Sequence, residues 1–173
     1  MDFQAFIHAQ DKRFNRAPYD SERILSFDPG HTTGWAFFAN NTLQAYGQIN
    51  TKTMDTAPHN IMELFVKYDP TQIVFEDYRI YKGLAEHHEG SSVQTIHVIG
   101  AIETLCAFKF LPYSKRMAAP VKNFCTDKKL TDWGFKKKGM RHAMDAIRHG
   151  CYQILFYHAD SGKSTSPYKK VVG

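Results

Sequence analysis

The sequence predicts an α/β fold: a mixed five-stranded sheet, an antiparallel meander joined by parallel strands, flanked by helices. Three observations carry this expectation. Between residues 24 and 49 three short apolar runs are separated only by turn chemistry, the pattern of a meander. An amphipathic stretch then feeds a fourth apolar run, and a strand reached through a helix lies parallel to a strand already in the sheet. Two further apolar helical stretches follow, enough to cover a sheet. With 173 residues, 43% of them hydrophobic, the chain has room for one compact domain with its own core.

The elements follow in order. Residues 1–22 are polar and mixed in charge, and are expected to form an arm or a short helix ahead of a domain spanning 23–158. ILSFD (24–28) is apolar enough to be a central strand. GWAFF (34–38) and TLQAYGQI (42–49) are the second and third strands, with Asn40-Asn41 as the hairpin turn. In 56–68, Ile61, Leu64, Phe65 and Tyr68 fall at i, i+3, i+4 and i+7, the spacing of an amphipathic helix. Pro58 suits its first turn and Asp69-Pro70 ends it. QIVFED (72–77) is the fourth strand. Residues 78–90 are polar and aromatic without a period, and are expected to form a loop. The helix over 92–108 carries Val93, Ile96, Ile99, Ala101, Ile102, Leu105 and Phe108 around much of its circumference. So wide an apolar surface implies burial on two sides, one of them against a partner subunit. RMAAP (116–120) is the fifth strand, 121–139 a loop with a short helix, and 142–157 the last helix. Residues 159–173, rich in Ser, Gly and Lys, are expected to be a flexible tail. No internal repeat is present.

The net charge is +5 and the isoelectric point about 9.1. The excess is concentrated: ten bases between Lys109 and Arg141 face only Asp127 and Asp132. Aromatic residues interleave them at Tyr113, Phe124, Trp133 and Phe135, a pattern that suits a nucleic-acid surface. The plain alternative is a solvated loop that serves solubility. Lys122, Lys128, Lys129, Lys136, Lys137, Lys138 and Arg141 are the candidate DNA contacts. Cys106, Cys125 and Cys151 are odd in number, far apart and without a CxxC pair. That speaks against a disulfide framework or a zinc site and for a reducing compartment. No apolar run approaches the roughly 20 residues of a membrane span, and the N-terminus has no signal-peptide core. A cytoplasmic protein without a membrane partner or a small-molecule cofactor is expected.

Three acids stand in unusual places. Asp28 ends the first strand, just before Pro29-Gly30. Glu76 ends the fourth. Asp145 lies on an otherwise apolar helix face among Ala146, Ile147 and Ile154. A charge so placed is costly unless something pairs with it, whether a lysine or a metal ion. Mg²⁺ takes a few carboxylate oxygens and keeps several waters. Two such ions about 3.5–4 Å apart stabilise both the attacking and the leaving oxygen of a phosphodiester. His142 precedes Asp145 by three residues, shares its helix face, and offers a ligand or a proton-transfer group. Singly, each has an ordinary explanation: a turn former, a polar strand end, a salt-bridged acid, a structural histidine. Their order along the chain, strand acid, meander, helix, strand acid, helix, basic segment, helix acid, is the stronger signal.

From Ile24 to Phe156 this order resembles the RuvC-type Holliday junction resolvases, the bacteriophage members in particular. In that family a strand ending in D-P-G with T-G shortly after supplies the first acid, as in FDPGHTTGWA here. A V-x-x-E strand supplies the second, as in IVFED, and H-x-x-D-A or D-x-x-D-A supplies the last pair, as in HAMDAIRHG. The resemblance implies a ribonuclease H-like fold, with Asp28, Glu76, His142 and Asp145 as catalytic residues and ligands of two Mg²⁺ or Mn²⁺ ions. It implies hydrolysis of DNA phosphodiesters to 5′-phosphate and 3′-hydroxyl ends. It also implies a homodimer that nicks a four-way junction symmetrically, a C2 arrangement suited to two equivalent strands, with helix 92–108 at the interface. Thr32 and Thr33 would then lie near the scissile phosphate.

Two positions depart from the family pattern. Where some bacterial members place a stacking aromatic after the second acid, this chain has Arg79, flanked by Tyr78 and Tyr81 and followed by Lys82. Either tyrosine or the guanidinium can stack on bases. The fourth ligand position holds His142 in place of Asp, which moves the metal preference toward Mn²⁺. His87-His88-Glu89 is assigned to DNA contact and not to a metal. The alternatives are a broader fork and flap nuclease, a non-catalytic junction-binding protein, and an actin-like nucleotide-binding domain. The last needs two such domains, and this chain has room for one.

Overall fold

A computed structural model of the chain describes residues 1–14, 22–78 and 91–156. The central element is β1 (Arg23–Asp28). It pairs antiparallel with β2 (Thr32–Ala39), which pairs antiparallel with β3 (Thr42–Asn50). Asn40 and Asn41 turn this hairpin at φ of 51° and 59°, a left-handed conformation that asparagine tolerates better than most residues. Helix α2 (Thr56–Tyr68) leads to β4 (Gln72–Glu76), parallel to β1 on its other side. Helix α3 (Ser91–Phe108) leads to β5 (Tyr113–Arg116), parallel to β4. The sheet order β3-β2-β1-β4-β5 is the expected mixed five-stranded arrangement, with the meander on one side and the parallel strands on the other.

The period of two along each strand sorts the core into two layers. Leu25, Phe27, Phe37, Ile73 and Phe75 pack beneath α2 and α3, with Ile61, Phe65, Val98 and Ile102. Ile24, Ala36, Phe38 and Val74 pack on the opposite face, against Ala146, Ile147, Cys151 and Leu155 of α6 (Arg141–Phe156). The chain start is the helix α1 (Phe3–Phe14), and it docks on this second layer: Phe3 lies 4.9 Å from the Trp133 ring and 5.3 Å from Phe135. The Gln4 amide donates to the Asn41 carbonyl at 2.7 Å, tying α1 to the β2–β3 turn.

The segment after α3 differs from its sequence expectation, in its strand and in having two short helices. The fifth strand is Tyr113–Arg116 and not 116–120. Met117 is extended, and Ala118-Ala119-Pro120 open the helix α4 (Ala118–Phe124). Alanine favours helix, and proline loses nothing in a first turn, where no helical partner awaits its missing N–H. Helix α5 (Asp127–Asp132) follows, its Thr126 hydroxyl accepting from the Lys129 N–H. The buried thiols of Cys106 and Cys125 are pushed up to about 12 by desolvation, as inert core residues.

Candidate active site

Asp28 and Glu76 end adjacent parallel strands, one position beyond the Phe27–Phe75 pair. Even-numbered residues of both strands face α6, so both carboxylates project toward that helix. Helix α6 comes close because small residues meet it. A Cβ on Gly34, which pairs with Asp28, would lie 1.9 Å from the His142 carbonyl oxygen. The buried Ser26 hydroxyl lies 2.8 Å from the Ala146 carbonyl, to which it donates. A Cβ on Gly150 would lie 2.2 Å from the Phe38 ring. Gln48 of β3 accepts from the His142 N–H at 3.1 Å, one of the orphan donors of the first turn.

Each acid meets a basic group on α6. His142 Nδ1 is 2.7 Å from Asp28 Oδ2, and Nε2 of buried His149 is 3.1 Å from Glu76 Oε2. Arg148 donates to Asp145 Oδ1 at 2.5 Å while also engaging Asp127 and the Cys125 carbonyl. Gln153 continues the row, accepting from Arg116 of β5 at 2.7 Å. Lys122 of α4 reaches in from the side, 3.3 Å from Asp145 and 3.9 Å from Glu76. Burial pushes the Asp28 carboxyl above its ordinary value against the lowering effect of the His142 bond, and the charges of Glu76 and Asp145 push it further. The bond to Asp28 in turn raises His142.

The four candidate ligands therefore come from β1, β4 and α6 to the C-terminal ends of two interior, parallel strands. As the side chains stand, no group of three or more His, Cys, Asp or Glu converges to hold an ion among the described residues, because each carboxylate is turned to a basic neighbour. The donor set nevertheless fits a hard divalent cation. Three carboxylates supply the oxygen ligands such an ion prefers.

Beside Asp145 opens a cleft of about 730 Å³ lined by Lys122, Lys136, Lys137, Lys138, Arg141 and Arg148. Five of the seven bases singled out in the basic segment thus border it. Lys128 and Lys129 do not: Lys128 bonds Asp132 at 2.8 Å, and the Lys129 ammonium sits 3.5 Å over the Phe124 ring. Thr32 is half-buried next to the Asp28 turn. Thr33 is buried, and its hydroxyl is 2.7 Å from that of Thr51, which donates to the Gly30 carbonyl. This threonine pair fastens the turn after Asp28, so Thr33 offers no free hydroxyl to a ligand. Tyr78 packs at the edge of the layer under α3. Arg79, Tyr81, Lys82 and the His87-His88-Glu89 run lie outside the described residues.

Sequence reasoning missed His149 and Arg148, and it placed Lys122 only on the DNA surface. The signal for His149 was present: it follows His142 by seven residues and Asp145 by four, two helical turns on one face. Arg148 follows Asp145 by three residues, also on that face, whereas Lys122 carried no such signal.

No protein-family model matches the chain, and no curated protein matches it by sequence. Solved structures do. RuvC of T. thermophilus in complex with a Holliday junction substrate superposes with a TM-score of 0.64 at 14% identity, covering 80% of this chain and 96% of that one. A second structure of Thermus thermophilus RuvC gives 0.63 at 13% identity, over 79% and 96%. The yeast mitochondrial Holliday junction resolvase Ydc2 gives 0.55 at 12% identity, over 87% and 85%. The chain has the RuvC-type, ribonuclease H-like fold.

Proposed function

We propose that this chain is a metal-dependent, structure-selective DNA endonuclease that resolves four-way junctions by paired nicks, leaving 5′-phosphate and 3′-hydroxyl ends. The observation that carries the reading is that Asp28, Glu76 and Asp145, from three separate elements, lie near enough for the charges of the last two to act on the first, beside a basic cleft. The solved structures that share this fold include a Holliday junction resolvase and a complex with a junction substrate, which supports the same reading.

Divalent cations held by Asp28, Glu76, Asp145 and His142 would supply activation of water and neutralisation of charge at the scissile phosphate. The chain's own residues do the rest. β1 and β4 fix two carboxylates on rigid strand ends, so little freedom is lost when they act together. His142 orients Asp28 through their 2.7 Å bond and is within reach to hand a proton to, or take one from, that carboxylate. Lys136, Lys137, Lys138 and Arg141 bind phosphates and hold the strand in register without reading bases. Two such sites in a homodimer would cut two equivalent strands. Helix α3, which leaves Val93, Ile96 and Phe108 exposed, is the element through which we expect it to pair. Sedimentation of the purified chain as a monomer at micromolar concentration would remove the dimer.

The test is cleavage of a synthetic four-way junction with Mg²⁺ or Mn²⁺, beside fork and duplex of the same sequence. Wild type nicks the junction symmetrically, and Asp28→Asn loses about 10²–10³-fold or more in rate while binding the junction as before. Junction binding without cutting by wild type would leave a non-catalytic binding protein. Equal rates on fork and junction would leave the broader nuclease.

A further inference from the structure

Lys122 holds a position unlike that of any other base at the site. Its ammonium is shared between carboxylates of two elements, 3.3 Å from Asp145 Oδ2 on α6 and 3.9 Å from Glu76 Oε2 on β4. The other basic neighbours of these acids are anchored. His149 is fully buried, and the Arg148 guanidinium is spread over Asp145, Asp127 and the Cys125 carbonyl. The Lys122 side chain is 43% exposed, stands on a flexible four-carbon stem, and borders the basic cleft as well as the acids. From there it can swing from the carboxylates into the cleft.

We propose that Lys122 is an exchangeable counter-ion: in the DNA-free chain its ammonium neutralises Glu76 and Asp145 and competes with a divalent cation for them, until a DNA phosphate in the cleft draws it away. The inference rests on the metal-dependent reading above. An ammonium and a divalent cation a few ångströms apart repel, so both cannot hold the same pair of carboxylates at full strength. A phosphate in the cleft offers the lysine an equivalent partner. DNA and metal then strengthen each other's binding by the same factor, as linkage requires. The site would stay poorly loaded, and harmless, until substrate arrives.

The experiment is a Mn²⁺ titration of the DNA-free protein, followed by electron paramagnetic resonance, on wild type, Lys122→Met, Lys122→Arg and Lys136→Met, each checked for folding by circular dichroism. Lys122→Met is expected to bind Mn²⁺ at least about tenfold more tightly than wild type, within the usual range of couplings between sites. Lys122→Arg keeps the charge and is expected to retain the wild-type affinity. Lys136→Met removes the same charge from the same cleft, but from a residue whose partner is Asp127 at 3.3 Å. Its affinity is expected to change by less than about twofold, since screening weakens a charge that touches no ligand. Mn²⁺ affinity in Lys122→Met no higher than in Lys136→Met overturns the role of Lys122 and leaves the metal site standing. If none of the four proteins binds Mn²⁺, the metal reading falls together with it.

Discussion

Asp28 and His142 bind more protons in the folded chain than in the unfolded one, because both are raised, Asp28 chiefly by burial and His142 chiefly by its bond to Asp28. The sign follows from linkage: where the native state holds more protons, stability falls as pH rises. The contribution of His142 is complete below its ordinary value of 6.5 and is lost as pH climbs through the raised one. In metal-free protein, urea denaturation at about pH 6 and about pH 8.5 should therefore show a smaller loss of stability in His142→Gln than in wild type. An equal loss would mean that another group carries the pH dependence. His149 acts differently. Its Nε2 holds Glu76 at 3.1 Å from a fully buried position, and its Nδ1 has no partner among the described residues. His149→Ala removes that bond and opens a cavity, so it should cost about 2–4 kcal/mol in denaturation. His149→Gln can still donate to Glu76 and should recover part of the junction cleavage that His149→Ala loses. Equal cleavage by the two would deny the histidine a role in positioning Glu76.

At the scale of elements, the site depends on how closely α6 lies on β1 and β2. Gly34 is the contact that admits it, since even a methyl group there meets the His142 carbonyl. The obstacle is backbone, which cannot rotate aside as a side chain can. Gly34→Ala should destabilise the chain by about 1–3 kcal/mol through overpacking and shift His142 and Asp145 away from Asp28. Loss of cleavage in a variant still folded at room temperature, seen by comparing the thermal melt with the junction assay, is the expected outcome. Full activity would show that α6 need not lie so close. The same packing gives α1 its place. Phe3 and Phe6 fill the layer behind Trp133, so the chain start supports the segment that carries the cleft lysines.

Across the whole molecule the charge is divided. The acids gather at the C-terminal ends of β1 and β4, and the cleft beside them is lined by six bases, five of which belong to the Lys109–Arg141 segment. If the cleft carries phosphates, junction binding weakens with salt through counterion release. Neutralising Lys136, Lys137 and Lys138 together should reduce the slope of log K against log salt by about 2–3, near one for each phosphate that no longer meets a lysine. An unchanged slope in a filter-binding or anisotropy series would assign these lysines to solubility alone. The weakening should be similar for junction, fork and duplex, because phosphate contacts position the nucleic acid and do not choose its shape.

The sequence by itself determined the local features, because these are written in short-range chemistry. Two asparagines made a hairpin turn, an i, i+3, i+4, i+7 stripe made α2, and acids at the ends of apolar strands marked Asp28 and Glu76. The misplaced strand, β5, failed where Arg-Met-Ala-Ala-Pro suits a strand end and a helix start equally, and pairing with Ile73–Glu76 decided between them. What only the tertiary structure decided is which group neutralises which. Glu76 meets His149 across 73 residues, and Asp28 meets His142 across 114. Lys122 spans two acids from a third element, and Thr33 turns inward to Thr51. Such pairings depend on how a helix crosses a sheet, which is set by small residues at the crossing and by the combined packing of both layers. No local pattern encodes that angle, so a residue's type and spacing announce its chemistry while the fold assigns its partner.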